Sequence, residues 1–149
     1  MLIDCPPSLN LLTINGLVAA DRVLVPLQCE FYALEGLSQL MRTIDRVQRA
    51  LNPLLELEGV VLTMYDGRNN LSQTVAQDVR HHLGAKVCDT VIPRNVRISE
   101  APSHGQPVLV YDQRSSGAQA YTQLAAEILR RNSPPPPFPP PQTGVGGGA

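Results

Sequence analysis

Three short runs of branched apolar residues, Val23-Leu24-Val25, Val60-Val61-Leu62 and Val87 to Ile92, alternate with stretches of helical periodicity. This alternation narrows the fold more than any other feature of the chain. Runs without polar alternation are what strands covered on both faces look like. The clearest helical stretch is roughly 33–51, where Leu34, Leu37, Leu40, Met41, Ile44, Val47 and Leu51 recur at three-to-four spacing as one apolar stripe. Helices are also expected over about 8–20, 70–83 and 117–131. Ser8 is the expected cap of the first, with Leu9, Leu12, Leu17 and Val18 facing the core. Asn70 is the expected cap of the second, with Gln73 three residues on and Gly84 as its stop. In the last, Tyr121, Leu124, Ala125 and Ile128 are expected inward. A further short strand is expected over 107–111. The pattern predicts an α/β fold, a mostly parallel sheet with helices on both faces.

The first residues, Met1-Leu2-Ile3-Asp4-Cys5-Pro6-Pro7-Ser8, read as the end of a buried strand closing on a carboxylate. Pro6 and Pro7 bar helix there. Ligands of open α/β folds bind at the carboxyl ends of strands, where Asp4 is expected to sit. An aspartate in that position is the usual holder of a nucleotide's magnesium through water. Its plainer reading is a turn residue at a strand end.

The 149 residues make about one domain, expected over 1–132. Beyond it, prolines at 134–137 and 139–141 and the glycines of 144–149 predict an extended and then flexible, disordered tail over 133–149. A net charge of −1 gives no global basic field for nucleic acid. Cys5, Cys29 and Cys88 are odd in number and far apart, which indicates neither zinc nor a disulfide framework. No apolar run approaches the roughly 20 residues of a membrane span, and no signal peptide is recognised. A reducing cytoplasm is the expected location. Adjacent His81 and His82 do not share a helix face, so no metal pair is expected. His104 stands in no recognisable relation to a nucleophile.

Four blocks carry a family resemblance. They are Leu2 to Ser8, Pro26 to Gly36, Leu62 to Asp66, and Ile92 to Gly105 with its Pro93-Arg94-Asn95-Val96-Arg97-Ile98-Ser99-Glu100 core. In this order and spacing they resemble the ParA (Soj) chromosome-partitioning ATPases, over about residues 1–131. The resemblance implies a P-loop NTPase-like fold, ATP and Mg2+ as ligands, and a homodimer that sandwiches ATP. It further implies DNA binding without sequence preference, hydrolysis stimulated by a ParB-type partner, and a nucleoid-associated cytoplasmic protein with no membrane anchor.

The chain departs from that family at one point. Members carry a glycine-rich loop with two lysines, whereas the only lysine here is Lys86, outside any glycine loop. The chain is therefore expected to be the carboxyl-terminal part of such an ATPase, without the amino-terminal strand and P-loop. Poor ATP affinity and a marginally stable or self-associating chain are expected to follow. The alternative to a partitioning switch is a non-enzymatic remnant that binds full-length ParA or DNA, or is inert.

By resemblance, Asp4 is the catalytic-site aspartate that holds magnesium, and Met64, Tyr65, Pro93, Arg94 and Asn95 wall the adenine. Gln28 and Glu30 match a loop near the dimer face. DNA binding needs cations aimed at phosphates. Arg80 and Arg97 are the expected contacts, with Arg68 and Arg94 as further candidates. Arg42, Arg46 and Arg49 share a helix face, but a solvated face with an Asp45–Arg49 pair is the favoured reading there.

Overall fold

The computed structural model describes residues 1–133 apart from positions 7 and 9. In chain order the elements are helix α1 (Leu11–Ala19), strand β1 (Arg22–Gln28), helix α2 (Ala33–Ala50), strand β2 (Glu56–Tyr65) and helix α3 (Asn70–Leu83). A turn of 3-10 helix (Gly84–Lys86) leads to strand β3 (Val87–Pro93), then helix α4 (Val96–Glu100) and a second 3-10 turn (Ala101–His104). Helices α5 (Val108–Tyr111) and α6 (Ser116–Arg131) follow.

The strands form one sheet in the order β1-β2-β3, and both pairings are parallel. Val25 lies opposite Val60 and Leu27 opposite Leu62, while on the other side of β2 Leu62 meets Val91 and Tyr65 meets Pro93. Helices α2 and α3 cover one face, closing over Val25, Leu27, Leu37, Val60, Leu62, Val75, Val79 and Val87. Helix α6 covers the other, where Ala120 and Leu124 pack on Val61, Cys88 and Ile92. Val60 and Leu62 are fully buried, and burying such a side chain is worth about 1.5–3 kcal/mol. The alternation of short apolar runs with amphipathic helices thus yields the two-faced parallel sheet it predicts.

Local signals set the helix ends. Asn69 caps α3 by accepting from the Leu71 N–H at 2.9 Å, one residue before the expected Asn70. Gly84 stops that helix at φ 52°, a conformation glycine adopts without a Cβ penalty. Asn10, not Ser8, caps α1, taking the N–H groups of Leu12 and Thr13. The Ser8 carbonyl instead accepts from the buried Thr13 hydroxyl at 2.6 Å. At its other end the Asn52 amide donates to the carbonyls of Leu17, Val18 and Ala20, satisfying groups that a helix terminus leaves open.

Several expectations are corrected. Met1–Pro6 is not a strand but an unpaired segment, with Leu2 fully exposed and Ile3 46% exposed. A strand exists only through a ladder, and here a cavity of about 1310 Å3 separates the segment from β1. Residues 107–111 also form no strand: Val108–Tyr111 is a helical turn after Pro107. The N–H groups of Asp89 and Thr90 on the far side of β3 are taken by a side chain of α6, leaving them unavailable for a fourth strand. Within α1 only Leu17 and Thr13 are buried, and Leu12 and Val18 face outward. In α6 the buried stripe is Gly117, Ala118, Ala120, Leu124 and Glu127, with Tyr121 and Ala125 exposed. The expected tail, from position 134 onward, and the core position of Leu9 lie outside the described residues.

The side chain that takes those two N–H groups is Glu127, 3% exposed. Its Oε1 and Oε2 accept from Asp89 and Thr90, each at 2.8 Å. The need arises from a bulge: β3 advances from Val87 to Val91 while β2 advances only from Val60 to Leu62. Arg131 pairs with Glu127 at 2.7 Å and donates to the carbonyls of Val87 and Ala85. Burial alone would push the Glu127 carboxyl up; the bonds from Thr90 and Asp89 and the charge of Arg131 outweigh it and bring it down to about 2.

Candidate functional site

In a parallel sheet the strands all end on one edge, and ligands of open α/β folds bind outside it. Here that edge is built from Gln28–Glu30, Met64–Arg68 and Pro93–Asn95. Two backbone bonds tie the three strand ends together, Cys29 N–H to the Thr63 carbonyl at 3.1 Å and Arg94 N–H to the Tyr65 carbonyl at 2.9 Å. Met64, Tyr65, Pro93, Arg94 and Asn95 therefore gather on one edge, as four-block spacing alone could not show.

Met64 carries a feature that no sequence signal announces. Its φ of 53° lies in the left-handed region, unusual for a residue that is not glycine. The β2–β3 register shifts between Leu62 and Tyr65, so the left-handed residue makes the break that turns the chain into the Asp66 loop. A conformation of this kind costs about 1–3 kcal/mol and persists only where its surroundings hold it. Met64→Gly is expected to leave thermal stability unchanged or raised, whereas Met64→Val should lower it by about 1–2 kcal/mol, because a β-branched residue is least suited to positive φ. Equal melting midpoints for the two variants would show that the backbone relaxes there freely.

Beyond Met64 the loop is held by its own side chains. Asp66 accepts from the Arg68 backbone N–H at 3.0 Å and pairs with the Arg68 guanidinium at 3.2 Å. The Arg68 side-chain bond, with smaller help from the charge of Arg94, holds the Asp66 carboxyl below the usual carboxylate range. The Gln73 side chain donates to the Gly67 carbonyl. On the β3 side, Asn95 caps α4 by accepting from Arg97 N–H at 2.9 Å and donates through Nδ2 to Ser116 Oγ at 2.7 Å. Gly117 permits this approach, since a Cβ there would meet Ile98 Cδ1 at 2.5 Å and Asn95 Cγ at 3.3 Å.

The two expected DNA contacts sit differently. Arg97 is exposed yet engaged, pairing with Glu100 at 2.9 Å and Asp112 at 3.4 Å, with Tyr111 donating to the same Glu100 oxygen at 3.4 Å. Arg80 is half-buried and donates to the Asp89 carbonyl at 3.4 Å. Arg94 projects from the gathered edge itself. On α2 the Arg49–Asp45 pair forms at 3.0 Å, as the solvated-face reading of that trio anticipates.

Asp4 is not brought to this edge. It is exposed and lines the cavity beside β1, which includes none of Met64, Tyr65 or Pro93–Asn95 among its walls. Among the described residues no group of three or more His, Cys, Asp or Glu side chains could hold a metal ion. Lys86 donates to the Leu57 carbonyl at 2.9 Å, at the opposite end of the sheet. The N–H groups of Leu12 and Thr13, at the start of α1, are taken by Asn10. The gathered edge has residues suited to a flat base, but these residues do not fit a triphosphate. Among the described residues no helix is long and apolar enough to cross a membrane.

Comparison with known proteins places this geometry. A family model for an AAA domain matches residues 1–57. The chromosome partitioning protein ParA of Caulobacter vibrioides is 68% identical over 131 residues, 88% of this chain and 49% of that protein. The sporulation initiation inhibitor protein Soj of Bacillus subtilis is 59% identical over 128 residues, 86% of this chain and 51% of that protein. The chain thus spans about half the length of these curated relatives. Among solved structures, a cobyrinic acid a,c-diamide synthase from Mycobacterium smegmatis with bound ATP analog and magnesium superposes with a TM-score of 0.67 at 42% identity, covering 85% of this chain and 45% of that one. The parallel sheet with helices on both faces is accordingly of the P-loop NTPase type. By fold and by identity over some 130 residues, the chain is a homologue of the ParA/Soj chromosome-partitioning proteins.

Proposed function

We propose that this chain is the base-binding and partner-facing part of a ParA-type partitioning ATPase, competent in ATP turnover only together with a polypeptide that supplies the P-loop. The observation that supports the reading is the gathering of Met64, Tyr65 and Pro93–Asn95 on one sheet edge, tied by the Arg94–Tyr65 backbone bond. In the assembled switch, ATP and magnesium bind with Asp4 toward the metal, two copies close around the nucleotide, and the dimer holds DNA through arginines. Of these, Arg94 and Arg80 are better placed than Arg97, whose guanidinium already faces two carboxylates. A ParB-type partner stimulates hydrolysis, and the assembly works on the nucleoid in the cytoplasm. Lys86, bound to a backbone carbonyl away from the edge, favours a second reading for the chain alone: a non-enzymatic partner of full-length ParA or of DNA.

The test is titration of the full chain with a fluorescent ATP analogue, with and without magnesium, beside Asp4→Ala. Weak binding, little changed by magnesium or by the substitution, is expected, because a phosphate site depends on backbone amides, a helix terminus and a lysine together. Tight magnesium-dependent binding that Asp4→Ala abolishes would mean that the phosphate site forms without a P-loop, and the reading would fall.

A further inference from the structure

The cavity of about 1310 Å3 between Met1–Pro6 and β1 has the attributes of a missing strand. β1 pairs with β2 alone, so its other side is an open hydrogen-bonding edge. The Cys29 N–H points to β2, where it meets the Thr63 carbonyl. Since a strand alternates with period two, Leu27 and Val25 also face β2, whereas Leu24, Pro26 and Gln28 direct their backbone groups into the cavity. Pro26 has no N–H, so the open edge offers donors at Leu24 and Gln28 and carbonyls at all three positions.

The opposite wall is the extended Met1–Pro6 segment, which α1 fixes in place. Thr13 hydrogen-bonds the Pro6 and Ser8 carbonyls, and a Cβ on Gly16 would meet Cys5 Sγ at 2.8 Å. Leu17, Leu37 and Leu40 give the cavity an apolar floor, and Arg22, Glu58 and Asn132 make one end polar. A seven-residue strand at ~3.3 Å per residue, ~4.8 Å from its neighbour in a layer ~10 Å thick, fills roughly 1,100 Å3, close to the 1310 Å3 present.

We propose that this slot is a strand-acceptor site: it takes one extended segment of a second polypeptide, apolar in its middle and polar at the end that meets Arg22 and Glu58. Recognition is by strand addition, with backbone bonds to Leu24, Pro26 and Gln28 supplying register and the apolar floor supplying affinity. A second copy of this chain presenting its own β1 fits poorly, because Pro26 interrupts both edges and Met1–Pro6 stands in front of each. The inference concerns the sheet alone and stands whether or not the chain takes part in partitioning.

Amide hydrogen exchange of the full chain tests it. The probe is an end-blocked heptapeptide of alternating valine and isoleucine between terminal lysines. Exchange at Leu24 and Gln28 is expected to slow at least about tenfold on adding it, with Val25 and Leu27 unchanged because β2 already holds them. The same peptide N-methylated along one edge should give no slowing. Three results would overturn the proposal. One is no protection at Leu24 and Gln28. Another is equal protection by the N-methylated peptide, which would mark a merely apolar surface. The third is protection without peptide together with a doubled mass in light scattering, which would make a second copy the occupant.

Discussion

Glu127→Ala lowers the unfolding free energy by about 3 kcal/mol and moves the urea midpoint down by about 1–3 M. The substitution leaves the Asp89 and Thr90 N–H groups of the β3 bulge without an acceptor and Arg131 without its carboxylate. Removing one partner of a buried, hydrogen-bonded pair is costly because the desolvated groups left behind stay buried. The carboxyl's titration gives the same size of effect independently. Its folded pKa of about 2 lies below the ordinary 4.5, and that difference at 1.36 kcal/mol per unit is about 3 kcal/mol. Since the folded value is depressed, the contribution is fully present above pH 4.5 and is lost as pH falls from there toward 2. Urea titrations of wild type and Glu127→Gln across that window check the assignment. The wild-type midpoint should fall more steeply with acid than that of the variant. Parallel pH profiles would show that Glu127 is not the group responsible.

Gly117→Val destabilises the chain by about 2–3 kcal/mol and loosens the Pro93–Asn95 end of the site. A Cβ at this position overlaps Ile98 Cγ1 at 2.6 Å as well as Cδ1, so rotating the tip of the isoleucine does not clear it. Either α4 moves away from α6 or Ile98 leaves its rotamer. In the first case the Asn95–Ser116 bond of 2.7 Å is lost as well. Exchange at the Arg97 amide, held by the Asn95 cap, reports on the site, while thermal unfolding reports on the core. Gly117→Ala should show the same pattern with a smaller drop. A Gly117→Val protein that melts with wild type would mean the two helices separate at no cost.

Much of the fold was legible because it follows from two periods. The stripe through Leu37, Ile44 and Val47 and the runs at Val60-Val61-Leu62 and Val87 to Ile92 became α2, β2 and β3. Legibility failed where a segment's state depends on its neighbour. Leu2-Ile3 and Val108 to Tyr111 have strand composition, but the first lies across a cavity from β1 and the second has no open edge to join. Sequence placed the Met64–Tyr65 and Pro93–Asn95 blocks near one another only by resemblance; the parallel register makes them neighbours. The left-handed Met64 and the buried Glu127 had no signal at all. Glutamate in a helix normally reads as solvated, and only the bulge it serves, itself a property of two strands, gives it a reason to be inside.

The sheet order β1-β2-β3 also bears on how the chain reaches this structure. Each strand pairs with the next in sequence, Leu27 with Leu62 and Leu62 with Val91, so each pairing closes a loop of about 30–35 residues already shortened by its helix. Such contacts form without waiting for the ends of the chain to meet, and low contact order speeds folding. The α6 clamp on β3 spans a similar separation, from Thr90 to Glu127. Folding can therefore advance as a relay of overlapping units with β2 in the first two, and the Asn132–Glu58 contact is the long-range closure that comes last.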